Sequence, residues 1–328
     1  MKSQRETGER GQAASQYQTS GDAGGYRPGV MSAVDADKPD PGDIFVGGKR
    51  LRRNHALAFI ALTLGIDMAG VGLIIPVMPD LIRSLTTASV GEAAAIGGWL
   101  VFAYAAMQFF FAPIAGNLGD RYGRRVVLLA ALGGLAVDYL IMALAPTLWL
   151  LFIGRIVAGI AGSSWSVANA YVADISTKAD RAKNFGVVSA GAAAGLVLAP
   201  AAGGLLGDIH VRAPFYAAAA LTAMNFLYGF FVLPESLSED KKRRFDWRRA
   251  NPVAGIGQVT RFPAVAGILC ALFMMQTATQ ALVHIWTYFT TELLAWSSLD
   301  IGVSVTFYAV TLIAVQAGLT GRVVRRVG

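Results

Sequence analysis

Eight stretches of this chain are long and apolar enough to bridge a bilayer, and no other feature restricts the possible folds as severely. A hydrocarbon core of about 30 Å is crossed by roughly 20 helical residues. Runs near that length with at most one charge are Ala56 to Pro79, Ile96 to Gly119, Val126 to Pro146, Thr147 to Ala173, Phe185 to Gly207, Ala213 to Leu233, a stretch within Phe262 to Thr291, and Ile301 to Gly321. A soluble core explains one such run, not eight joined by short polar loops. Composition agrees: 55% of the 328 residues are hydrophobic and 15% are charged, against about 25% in ordinary soluble domains. The single cysteine, Cys270, excludes a disulfide scaffold. An all-α membrane protein is the expectation.

The net charge of +7 resolves into a topology signal. With the segment before the first span placed in the cytoplasm, twenty Lys and Arg fall on that side and two, Arg83 and Arg212, on the other. Both ends are then cytoplasmic, the expected location is the inner (plasma) membrane, and a nucleic-acid partner is not needed to explain the charge. Residues 1–53 are rich in Gly, Ser, Gln and charge and have no apolar segment of the signal-peptide kind, so they read as a disordered cytoplasmic tail, with Met31 an alternative start. Residues 54–233 hold six spans, 234–261 form a central cytoplasmic loop with the run Lys241-Lys242-Arg243-Arg244, and 262–328 hold two more spans. That basic run reads first as solvated linker beside anionic lipid.

The loop after the second span, Gly116-Asn117-Leu118-Gly119-Asp120-Arg121-Tyr122-Gly123-Arg124-Arg125, has a partial echo at Gly321 to Gly328, after the second span of the second half. Gly321, Arg326 and Gly328 follow Gly116, Arg121 and Gly123 by 205 residues, the mark of duplicated six-span halves. On that arithmetic the second half is expected to run about 110 residues, four spans, beyond Gly328.

Three charges lie inside spans, where each costs at least ~2.5 kcal/mol unless paired or functional. At 1.5 Å per residue Asp67 and Asp138 sit roughly 17 and 18 Å from one face and Arg155 at about the same level, so two carboxylates and one guanidinium can cluster. Arg155 is expected to neutralise one acid while the other exchanges a proton; a static Asp138–Arg155 pair that fixes packing is the alternative. Asp67 leans functional, since it lies among Gly65, Ala69, Gly70 and Gly72. Asp120 is expected at the N-terminus of the third span, where negative charge is favoured, with Arg121, Arg124 and Arg125 in reach. Gln108, Asn169, Gln276 and Gln280 are candidates for a substrate path, with Asn225, Gln316 and His284 as further polar groups inside spans. No nucleotide loop, metal-ligand spacing or catalytic triad stands out, so no enzyme, cofactor or metal is expected.

The string Gly116, Asp120, Arg121, Gly123, Arg124, Arg125 resembles the signature between the second and third helices of the major facilitator superfamily, and Arg155 with Gly159 and Gly162 resembles its helix-four motif. Gly186, Gly195, Pro200, Gly203 and Gly204 resemble the antiporter motif of its drug/proton exchangers, with Ala199 where a glycine is usual. Gly72 to Pro79, Asp138-Tyr139 with Met142, Gly154 to Ile160, Tyr171 to Ile175 and Gly203 to Gly207 are similar to the tetracycline efflux pumps. The resemblance implies a major facilitator fold, with the six-helix bundle and the first two helices of the second, and alternating access around a midplane cavity. It also implies proton-coupled efflux of a drug-like small molecule, with a tetracycline–metal chelate as one candidate substrate, and a monomer if full length. It gives the Asp120 loop the role of a conformational switch. One departure concerns the eighth span: several such pumps carry a histidine four residues before a glutamine, and here Leu312 precedes Gln316. A membrane-inserted remnant that does not transport, and a nutrient symporter on the same fold, are the alternatives.

Overall fold

The computed structural model describes residues 43–46, 49–247, 250–252, 263–315 and 326. Two short strands, β1 (Asp43–Val46) and β2 (Lys49–Arg52), pair antiparallel where the tail meets the first helix. Everything after them among the described residues is helix and connection. The helices are α1 (Arg53–Ile74), α2 (Met78–Leu85), α3 (Val90–Tyr122), α4 (Arg124–Leu144), α5 (Leu148–Ala161), α6 (Ser164–Asp174), α7 (Arg181–Ile209), α8 (Ala213–Val232), α9 (Pro263–Leu294) and α10 (Ser298–Val315).

They make eight spans, as expected from the sequence: His55–Leu85, Val90–Tyr122, Arg124–Leu144, Leu148–Asp174, Arg181–Ile209, Ala213–Val232, Val265–Leu294 and Ser298–Val315. Two of them are broken helices. The first passes through a tight turn at Ile75–Val77, because Pro76 and Pro79 lack the N–H that would continue the ladder. It therefore runs on to Leu85, past the boundary at Pro79 read from hydropathy. The fourth span breaks at Gly162 and Ser163, where the Ser163 hydroxyl donates to the Ile160 carbonyl at 2.6 Å. The second span starts six residues earlier than its apolar run because a capping box sets its end. Ser89 Oγ accepts from the Glu92 N–H at 3.3 Å, and Glu92 Oε2 accepts from the Ser89 N–H at 2.8 Å.

Small residues let α1 and α7 cross with backbones in contact. A Cβ on Gly195 would overlap the Gly65 carbonyl, and one on Gly203 would overlap that of Leu73. The buried core falls into two clusters along these helices. One, nearer the loop at 86–89, gathers Leu81, Ile82, Leu100, Met142, Leu151 and Phe215; the other, nearer the Arg121–Arg125 loop, gathers Phe59, Ile60, Leu64, Leu128, Val167 and Tyr171. Large apolar side chains such as Phe231 and Leu198 point outward, 79% and 69% exposed, as lipid-facing positions do. No side chain in the most apolar stretch of α9 is buried.

Candidate functional site

The charged centre is built by α1, α3, α4 and α5. Asp138, on α4, is fully buried and accepts from Arg155 Nη2 on α5 at 2.6 Å. Gly154 makes the space: a Cβ there would stand 2.8 Å from Asp138 Oδ1. The shared level deduced from residue counting is therefore a direct ion pair. Asp138 Oδ1 and Arg155 Nε are buried and have no hydrogen-bond partner among the described residues.

Asp67, on α1, is partly buried and makes no hydrogen bond or ion pair among the described residues. Tyr104 on α3 and Tyr139 on α4 each lie within electrostatic range of Asp67, Asp138 and Arg155. The Tyr139 ring end packs against Gly70, one turn beyond Asp67, so closely that any side chain there would overlap its hydroxyl. Gln108 Nε2 donates to the Tyr104 hydroxyl and to the Gly162 carbonyl, both at 3.1 Å, which occupies one free backbone group at the break of the fourth span. Tyr104 has no motif around it in the sequence; its one signal is that it stands four residues before Gln108, on the same helix face.

The other path candidates separate. Asn169 is half-buried on α6, and Gln276 and Gln280 are exposed on α9. Asn225 is buried and accepts from Thr63 Oγ1 at 3.4 Å, an interhelical bond. His284 is half-buried on α9. Gln316 and the residues from 321 to 325 lie outside the described residues, so the echo of the loop motif does too.

At the opposite end of the same helices the Gly116–Arg125 loop is a bonded network. Arg124 Nη2 pairs with Asp120 Oδ1 at 2.5 Å, its Nε reaches Asp174 Oδ2 at 3.3 Å, and its Nη1 donates to the Gly116 carbonyl at 3.3 Å. Arg125 Nη2 donates to the Phe230 carbonyl at 2.6 Å. Asp120 closes the last turn of α3 and pairs along the chain with Arg124; it is Glu235, from the loop after α8, that occupies the N-terminus of α4. The Glu235 carboxylate accepts from the backbone N–H groups of Arg124 at 2.8 Å and Arg125 at 3.2 Å. Gly123, at φ +102°, lets the chain turn there, and a Cβ would overlap Glu235. The expectation for Asp120 at that terminus is corrected accordingly: an acid from a distant loop reaches the free N–H groups better than one still inside the preceding helix. Asp174 and Glu235 were legible only as an unassigned acid in the string Tyr171 to Ile175 and as part of the central loop.

The motif in span five meets span eight. A Cβ on Gly204 would overlap the Ser298 carbonyl, and one on Gly302 would overlap that of Pro200. Thr306 Oγ1 accepts from the Ala201 N–H at 3.2 Å and donates to the Val197 carbonyl at 2.9 Å. It thus bridges the donor and acceptor of one helical turn just past the proline. Gly186 has open space around it and takes no part in the contact.

Eight apolar spans among the described residues, two of them broken, with an ion pair between the third and fourth, define a polytopic helical membrane protein. Residues 60–328 match the sequence profile of the Major Facilitator Superfamily, and the chain belongs to that family. It is 41% identical over 85% of its length to the class C tetracycline resistance protein of Escherichia coli, covering 69% of that protein. It is 38% identical to the class G protein of Vibrio anguillarum (83% of this chain, 68% of that one), and 28% identical to multidrug resistance protein 2 of Bacillus subtilis strain 168 (82% and 67%). The chain therefore spans about two thirds of these relatives. Its fold is similar to the crystal structure of the human organic anion transporter MFSD10 (TETRAN), at TM-score 0.64 and 20% identity over 82% of this chain and 72% of that one. The protein is a membrane transporter by family and not an enzyme.

Proposed function

We propose that this transporter exports a tetracycline-like small molecule across the inner membrane in exchange for protons. The observation that carries the reading is the asymmetry of the two intramembrane acids. Asp138 is committed to Arg155, while Asp67, within electrostatic range of the same two tyrosines, has no hydrogen bond or ion pair among the described residues. A paired acid holds its charge and the helices; an unpaired one at the same depth is free to take up and release a proton. The substrate class rests on the relatives whose names carry tetracycline resistance.

Two bundles divided by residues 234–261, with both ends cytoplasmic, rock about a midplane cavity. The Asp120–Arg124–Asp174 network with Glu235 is the switch on the basic side: its bonds tie the second, third and fourth spans to the loop after the sixth, so they must exchange partners if those elements separate. Gln108 and Asn169 are the path residues of the first bundle, with Gln276 and Gln280 on the second.

Inside-out vesicles carrying the chain test this. An imposed proton gradient should drive accumulation of labelled tetracycline, Asp67→Asn should abolish it with the melting temperature in detergent unchanged, and tetracycline added to energised vesicles should release protons. Gradient-independent accumulation, or full antiport by Asp67→Asn, overturns the proposal.

A further inference from the structure

The loop that follows the sixth span folds back beneath the second. The Arg243 N–H donates to the Asp120 carbonyl at 2.9 Å. The Asn117 amide donates to the Asp246 carbonyl at 2.6 Å and accepts from its N–H at 3.3 Å. Residues 243–246 therefore run along the last turns of α3, with hydrogen bonds from their backbone holding them there. That track sets Lys242, Arg243 and Arg244 against Arg121, and with Phe245 they line an open recess of about 460 Å³.

No acid is among the described residues that line this recess. Glu239 pairs with Lys242 Nζ at 2.6 Å but is 86% exposed, an arrangement worth little in water. Arg121 stacks over the Tyr122 ring at 4.9 Å. Arg243 and Arg244 make no ion pair among the described residues, and both are exposed. Four cations held around one opening repel one another, and an anion bridging them removes that cost. Arginine and lysine in this number suit a phosphate, whose oxygens accept from several donors at once.

The surroundings choose among phosphates. The recess lies where α3 and α4 leave the apolar zone, at the face that carries most of the Lys and Arg. Trp247, two residues beyond the recess, is 75% exposed and meets Phe245 edge-on at 4.8 Å between centroids. An exposed tryptophan beside cations fits the headgroup layer, where its ring is buried and its N–H stays wet. A phosphate in free solution leaves Trp247 unexplained.

We propose that Arg121, Lys242, Arg243 and Arg244 bind the phosphate of an anionic phospholipid, with Trp247 inserted at headgroup level. The lipid then ties the central loop to the end of the second span, next to the Asp120–Arg124 pair.

The full chain in neutral detergent is titrated with phosphatidylglycerol and with phosphatidylcholine, both carrying brominated acyl chains, and Trp247 quenching is taken as the difference from Trp247→Phe. Phosphatidylglycerol should quench at concentrations about ten-fold lower than phosphatidylcholine, and the advantage should fall below about two-fold in Arg243→Gln/Arg244→Gln. Arg243→Lys/Arg244→Lys should keep most of it. If the glutamine pair melts early, Lys242→Gln with Arg244→Gln supplies the same comparison. Equal quenching by the two lipids, or an undiminished preference in the glutamine variants, overturns the proposal. Broadening of the inorganic phosphate ³¹P line by the wild-type chain, lost in the glutamine pair and unaccompanied by a lipid preference, assigns the recess to free phosphate and overturns the lipid assignment.

Discussion

Asp138 and Arg155 illustrate how little a residue's identity says about its task until its partner is known. Arg155 retains slight exposure and Asp138 has none, so the carboxylate depends on the pair more than the guanidinium does. Asp138→Asn should lower stability by about 3 kcal/mol, because a mostly buried cation loses its counter-charge. Adding Arg155→Gln should recover part of that loss, and thermal melting in detergent reads both. An unchanged melting temperature for Asp138→Asn would remove the pair from the structural account. Glu235 offers a second residue-scale test. Glu235→Gln retains one acceptor but removes the charge at the start of α4, and should cost about 1 kcal/mol, read in the same assay. Both residues were visible in the sequence as acids; only Asp138 stood in an apolar run, which is why it was singled out and Glu235 was not.

Among the elements, α7 bears the most contacts that a sequence cannot assign. Its glycines announced close packing, yet not that two partners share it: α1 on one side through Gly195 and Gly203, α10 on the other through Gly204. Thr306 lies in an ordinary apolar run and gave no signal, because its role depends on reaching a backbone some hundred positions away. Thr306→Val keeps the shape and removes the hydroxyl. It should remove the bonds that tie α10 to the α7 backbone, cost about 1 kcal/mol, and increase labelling of a cysteine placed at Ser298 as the two spans loosen. Thr306→Ser should behave as wild type. If valine changes neither melting nor labelling, the bridge holds nothing together.

For the whole molecule, the distribution of charge decides which way the bundle faces. All spans alternate between an end bearing Arg121, Arg124, Arg125, Lys178 and Arg181 and an end bearing Arg83 and Arg212. Arg212 is itself engaged, donating to the Ala143 and Ala145 carbonyls at 3.0 and 2.7 Å and so closing the end of α4. A reporter active only outside the cytoplasm should be active when fused at Val90 and silent at Ala179; the reverse result inverts the topology.

The sequence by itself determined the class of fold and the number of spans among the described residues. Both follow from a one-dimensional quantity, run length against bilayer thickness. It also marked the loop at Gly116–Arg125 and the glycine-rich stretch around Pro200, since both depend on residue types with special backbone behaviour. The tertiary structure alone decided which acid pairs with Arg155, which acid holds the start of α4, and which hydroxyl enters the turn after Pro200. These are contacts between residues far apart in the chain, 111 positions for Arg124 with Glu235 and 105 for Ala201 with Thr306, and no local pattern encodes a partner at such separations. Only packing of the apolar faces brings those helices to hydrogen-bonding distance, and the polar partners are selected there by what an apolar surrounding leaves unsatisfied.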